Sequence, residues 1–196
     1  MSCEAFYKNS KILTVANVTI KDKAAGWHGT LEYTYSESHS TTTPNGAGGS
    51  VTMFATESRT ITGQFDATTD NMGWGSVDGT GTGKAALVNT DGMRNPLCSK
   101  DGGSTVSGDV RISAGGSAGS GAGTLSISAH GDKLDGEQHL DDRCPKPPVH
   151  QKSAWSAAYG VTCDFVGIDF TKGGTYEADV PIDNGHGKCK LTIAPR

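Results

Sequence analysis

The run Gly115–Gly116–Ser117–Ala118–Gly119 has the spacing of a nucleophile elbow, G-x-S-x-G. In an elbow a serine is held on a strained strand-to-helix turn, with a base in hydrogen-bond reach. Here the residues after Ser117 stay small as far as Gly123. They give way to "TLSISAH", where Leu125, Ile127 and Ala129 alternate with Ser126, Ser128 and His130. That is the period of a strand, not a helix. The match is therefore read as a product of a Gly/Ser-rich tract, and no catalytic role is expected for Ser117.

"DGTGTGKAALV" resembles a phosphate loop only in part. Asp78 stands where the loop needs its first glycine, and Ala85 where it needs Ser or Thr. The six histidines are scattered and form no H-E-x-x-H pair. "DATTDNMG" and "PIDNGHG" are oxygen-rich but miss the calcium-loop register, with Thr68 and Asn71 at the critical places. No cofactor and no catalytic residue is expected, although a structural calcium is left open.

The three tryptophans offer flat apolar faces of the kind that stack on sugar rings. Trp27 and Trp155 fall on the apolar side of alternating segments and read as core. Trp74, in "NMGWGS", is the exposed candidate. His28 and Glu32, on the polar side of "GWHGTLEYTYSES", complete the candidate ligand-binding residues.

The five cysteines form no C-x-x-C pair, which removes zinc-ribbon and thioredoxin chemistry. Cys163 ends "WSAAYGVTC" on the face of Trp155, Ala157, Tyr159 and Val161. Cys189 shares a face with Leu191 and Ile193. Both point inward on strands and are expected to bridge. Cys98 and Cys144 sit in proline-marked irregular stretches and are expected to staple two loops. Disulfides imply an oxidising compartment. Cys3 is left unpaired. The Ser before it suits the end of a lipoprotein signal, with intermolecular or rearranged pairing as the alternative.

The elements that position these residues are strands. Gly is the commonest residue, at 28 of 196, and alternation recurs along the chain, including "ILTVANVTI" near the start. Helix signals are nearly absent. The expected fold is an all-β, antiparallel Ig-like sandwich, or alternatively a barrel, in one disulfide-stabilised domain over residues 1–196, with long Gly/Ser-rich hairpin loops. The tract at 113–123 is expected to be a mobile hairpin tip. Two interior features stand out. Glycines 75, 79, 81 and 83 leave one strand face bare, ready for the rings of Trp27, Tyr33 and Tyr35. Glu57 and Arg59 interrupt an apolar face: either they pair there, or a bulge flips the register, or the strand projects past the core, and the bulge or the projection is the expectation.

A net charge of −4 leaves no basic stripe for nucleic acid. No apolar run approaches the roughly 20 residues of a membrane helix. "MSCEAFYKNS" has no signal-peptide pattern, so the chain reads either as cytosolic or as a mature exported protein, and the cysteines favour export. The expected function is a non-enzymatic secreted or cell-surface domain for binding or assembly, periplasmic or outer-membrane lipoprotein locations included, with a protein or glycan partner. A carbohydrate-binding module is the second reading. A membrane-inserting hairpin over Val106–Ala129 is the third.

Overall fold

The computed structural model describes residues 26–46, 48–71, 74–119, 122–182 and 185–196. The expectations for "ILTVANVTI" and for Cys3 lie outside the described residues. Among the described residues eight strands follow one another: β1 (Gly26–Asn45), β2 (Gly49–Asn71), β3 (Trp74–Arg94), β4 (Ser99–Ala118), β5 (Gly123–Asp142), β6 (Val149–Ile168), β7 (Gly174–Ile182) and β8 (Gly185–Pro195). The all-β expectation holds. All pairings are antiparallel, in one sheet of order β6-β5-β4-β3-β2-β1-β8-β7. Among the described residues this supports neither an Ig-like sandwich, which needs two sheets, nor a barrel closed by hydrogen bonds, since the order has two ends.

The sandwich expectation rested on many short strands. In fact β1 to β6 each run 20 to 23 residues, several times the usual ~5–6. The Gly- and Asp-rich stretch "KDGGS" lies inside the ladder with partners on both sides, and "GDKLDGEQH" is also part of β5, although Asp132 and Lys133 within it are unpaired. "SAWSAAYGVTC" and the following "DFVGI" merge into the single strand β6, which ends at Ile168. Backbone pairing outweighs the turn preference of Gly and Asp once strands flank a segment on both sides.

The sheet curls on itself. Cys163 of β6 is bonded to Cys189 of β8, with Cα atoms 6.1 Å apart, although five strands separate them in the sheet order. Inside the roll lies one core built from every long strand, including Trp27, Leu31, Ile61, Phe65, Ile127 and Leu191. Burying each such side chain contributes roughly 1.5–3 kcal/mol. The Trp27 indole N–H donates to the Phe170 carbonyl at 2.7 Å, which satisfies the one polar atom of a side chain otherwise sunk in the core.

The core fills only one half of the long strands. β8 pairs β1 only from Trp27 to Thr34. Beyond that point β1 is exposed or half-buried from Ser36 to Asn45, and β6 is exposed on both faces from Gln151 to Ser156. We call this the distal half. Its end is closed by the second disulfide, Cys98–Cys144, with Cα atoms 4.9 Å apart, joining the β3–β4 and β5–β6 loops.

The Gly/Ser-rich tract does join two strands of a hairpin, but it is not a long loop. Gly115–Ala118 pair with Gly75–Asp78 on β3, and Gly115–Ser117 pair with Thr124–Ser126 on β5. Of the stretch expected to be mobile, Ser120 and Gly121 lie outside the described residues. Small side chains let the strands come close here, since a Cβ on Gly116 would collide with the Thr124 carbonyl.

Candidate functional site

Register determines what the distal half presents. On the inner face, the face continuous with the core, pairing partners form rungs across β1 to β6. The last core rung is Tyr35, Arg59, Leu87, Val106, Gly136 and Trp155. The next rung outward is Glu37, Glu57, Asn89, Ser104, Gln138 and Ser153, polar from end to end. Neighbouring members lie about 5 Å apart, the spacing of cross-strand pairs.

A bulge decides that the β5 member of this rung is the uncharged Gln138. Pairing with β4 shifts between Ser107 and Arg111, and pairing with β6 shifts between Gly131 and Leu134. One extra residue in β5 changes which parity faces inward. Leu125, Ile127 and Ala129 face the core on one side of it; Leu134, Gly136 and Gln138 face inward on the other. Unbroken alternation would have turned Glu137 and His139 inward instead.

Over β3 to β6 the inner face is open. Asn89, Asp91, Gln138, Gln151, Ser153 and Trp155 are all exposed, and they line a trough of about 390 Å³ together with Lys100 and Ser104. This volume lies in the range of small-ligand sites. Trp155 retains 45% of its surface exposed at the inner edge of the trough. The Gln138 amide donates to Ser153 Oγ at 3.0 Å, which ties β5 to β6 across the polar rung.

At the β1–β2 side a charged cluster caps the core. Glu57 and Arg59 form an ion pair at 2.5 Å, each about a quarter exposed. The guanidinium also lies over the rings of Tyr35 and Tyr159, at 5.1 and 5.4 Å. No bulge turns these charges outward, because β1 and β2 stay in register throughout. Of the three alternatives the bulge is not seen here: the charges pair at the core boundary, and the strand projects past the core beyond Glu57. Tyr35 donates its hydroxyl to Glu37. That bond, with burial, pushes the Tyr35 phenol up to about 12. Burial and the adjacent Tyr159 push Tyr33 up as well. The bond to Glu57 strengthens the hold of Arg59 on its proton.

The residues singled out from sequence are not brought together. His28 is on the outer face, with Nδ1 3.0 Å from Asp66, which Arg196 also contacts. These two partners hold the Asp66 carboxyl below the usual range. Glu32 lies on the same outer face, 3.9 Å from Lys190, in a second groove of about 410 Å³ whose walls alternate Lys188 and Lys190 with Glu177 and Asp179. The Trp74 side chain lies outside the described residues; its backbone is six residues along β3 from Thr80, the rung partner of Asp66. Trp155 was expected in the core. Alternation gave its face correctly but not its depth, because it sits where the core ends.

The glycine expectation also changes. A Cβ at Gly79, Gly81 or Gly83 would strike the β2 backbone, not Trp27, Tyr33 or Tyr35. Rings do cover other glycines: Phe65 lies over Gly29, Phe54 over Gly92 and Tyr33 over Gly187. The elbow pattern does not assemble. Ser117 Oγ lies 3.2 Å from the Thr124 hydroxyl, while His130 is tied to Asp132 at 3.0 Å. His130 pairs with Arg111, six residues along β4 from Ser117, about 20 Å away. Among the described residues no group of His, Cys, Asp and Glu is placed to hold a metal ion, and no helix is long and apolar enough to cross a membrane.

Comparison with protein-family models, with curated proteins and with solved structures finds no match to this chain. The functional reading therefore rests on its own residues and geometry.

Proposed function

We propose that this chain is a non-enzymatic, disulfide-stabilised domain of the cell surface or secreted space, and that it binds its partner on the inner face of the distal half. One observation carries the reading: a polar rung and an exposed tryptophan continue the inner face past the end of the core. A sheet needed only for stability would end where its core ends. Here the strands continue for about ten more residues, stapled at the far end by Cys98–Cys144. Two disulfides support an oxidising compartment. Attachment through Cys3 belongs to the same reading and rests on the Ser2–Cys3 order.

The membrane-inserting hairpin has less support. β4 and β5 turn Val110, Ile112, Leu125 and Ile127 into the core, and their outer faces carry Asp109, Arg111 and His130. Lipid-facing strands carry the reverse pattern.

The test is an array of glycans and extracellular proteins probed with the domain and four variants. Trp155→Ala and Gln138→Ala are expected to lose the wild-type signal; His28→Ala and Glu32→Ala are expected to keep it. Loss in the second pair alone would move the site to the outer face and overturn the reading.

A further inference from the structure

The trough itself specifies a ligand class. We infer that the inner face from Trp155 across Ser153, Gln138, Ser104 and Asn89 binds a linear neutral oligosaccharide, an inference that rests on the binding reading above. Three features of the surface carry it.

The first is the pairing of one exposed aromatic with a row of uncharged hydrogen-bonding groups. Trp155 is 45% exposed and stands at the edge of the polar rung. An indole face packs against the C–H face of a pyranose, while amides and hydroxyls serve both as donors and as acceptors to sugar hydroxyls. Asn89, Ser104, Gln138 and Ser153 supply that dual capacity on four successive strands.

The second is spacing. Strands lie about 4.8 Å apart, close to the rise per residue of an extended pyranose chain. A linear glycan laid across β6 to β3 meets one polar side chain per sugar. A peptide partner would more naturally add a strand at a sheet edge, where backbone groups are free. This trough lies on the sheet face from β3 to the edge strand β6, and what it offers a ligand is a row of side chains across four strands, not the free backbone groups of that edge.

The third is charge. The lysine and arginine on this surface are Lys100 and Arg59, with Arg59 engaged by Glu57, and His39 lies against Glu37. Against them stand Asp91, Glu57 and Glu37 on the same face. A uronate, sialylated or sulfated chain would meet net repulsion, and a neutral chain meets none.

The experiment is a titration of the whole domain with neutral gluco-, manno- and N-acetylglucosamine oligosaccharides, and with an oligo-uronate, followed by calorimetry and tryptophan fluorescence. At least one neutral series is expected to bind, with affinity rising with chain length to about four sugars. Trp155→Ala is expected to weaken it at least tenfold, Trp155→Phe less, and Glu32→Ala not at all. Near-ultraviolet circular dichroism from buried Trp27 reports that each variant is folded. Absence of neutral binding at millimolar concentration overturns the inference, as does binding indifferent to Trp155→Ala or stronger to the oligo-uronate. If the array instead yields a polypeptide lost on Trp155→Ala, the glycan inference fails while the binding reading stands. If no partner depends on Trp155 or Gln138, both fail.

Discussion

The guanidinium carbon of Arg59 lies 5.4 Å from the centre of the Tyr159 ring, although three strands separate β2 from β6 in the sheet order. Only a curled sheet brings them together, so this contact locks the roll at the boundary between core and distal half. Arg59→Ala would leave Glu57 partly buried without its partner. A cost of about 2–3 kcal/mol is expected, from the lost charge-assisted bond and the two ring contacts. Arg59→Lys keeps the charge but loses the planar fork and should recover less than half. Urea unfolding midpoints measure both; equal stability of Ala and wild type would remove Arg59 from this role.

The two disulfides are expected to act on different halves. On a chain-entropy basis, closing separations of 26 and 46 residues contributes about 3.5 and about 4 kcal/mol respectively. Replacing Cys163 and Cys189 by alanine should lower the melting temperature and loosen the core, seen as faster amide exchange at Leu191 and Ile127. Replacing Cys98 and Cys144 should leave those amides protected and speed exchange in the distal parts of β3 to β6. The same exchange pattern in both variants would contradict the division of the sheet.

Gly29 faces the Phe65 ring directly across the β1–β2 ladder. A Cβ there has no room, and the ring is walled in by the core. Gly29→Ala is expected to destabilise by about 1–3 kcal/mol, whereas Gly115→Ala, which meets nothing within 4 Å, should be near neutral. Thermal unfolding of the pair separates a packing role from a general preference for glycine.

Acid should weaken the fold through identified carboxylates. Asp66 is held low by His28 and Arg196, Asp141 by Arg143, and Asp169 by Thr171. A depressed folded pKa contributes stability that is present above the ordinary aspartate value of about 4 and is lost as pH falls through the folded value. Asp66→Asn should therefore be less stable than wild type at pH 7 and show a smaller decline between pH 5 and pH 2. Parallel pH profiles for the two proteins would mean that Asp66 does not take part.

Much of the base of the fold was legible in the sequence. Alternation placed Trp27, Leu31, Tyr33 and Tyr35 on one face, and all four are buried. The site was not legible, for two physical reasons. Alternation reports which face a residue is on, never how far along the strand the core extends, and so Trp155 read as core. A single extra residue in β5 decides that Gln138, and not Glu137, joins the polar rung. The signal that would have found it is parity: Leu125, Ile127 and Ala129 are odd, Leu134 even. The rung itself is a property of register across six strands, and register appears only once they pair.

The measurement that bears most directly on the central claim is a backbone and indole N–H shift map of the domain, titrated with a neutral tetrasaccharide series. Shifts are expected to gather at Asn89, Ser104, Gln138 and Ser153 and at the Trp155 indole, with the amides around Glu32 and Lys190 unmoved. Shifts gathered on the outer face around Glu32, or a distal inner face that stays silent under every series, would contradict that claim.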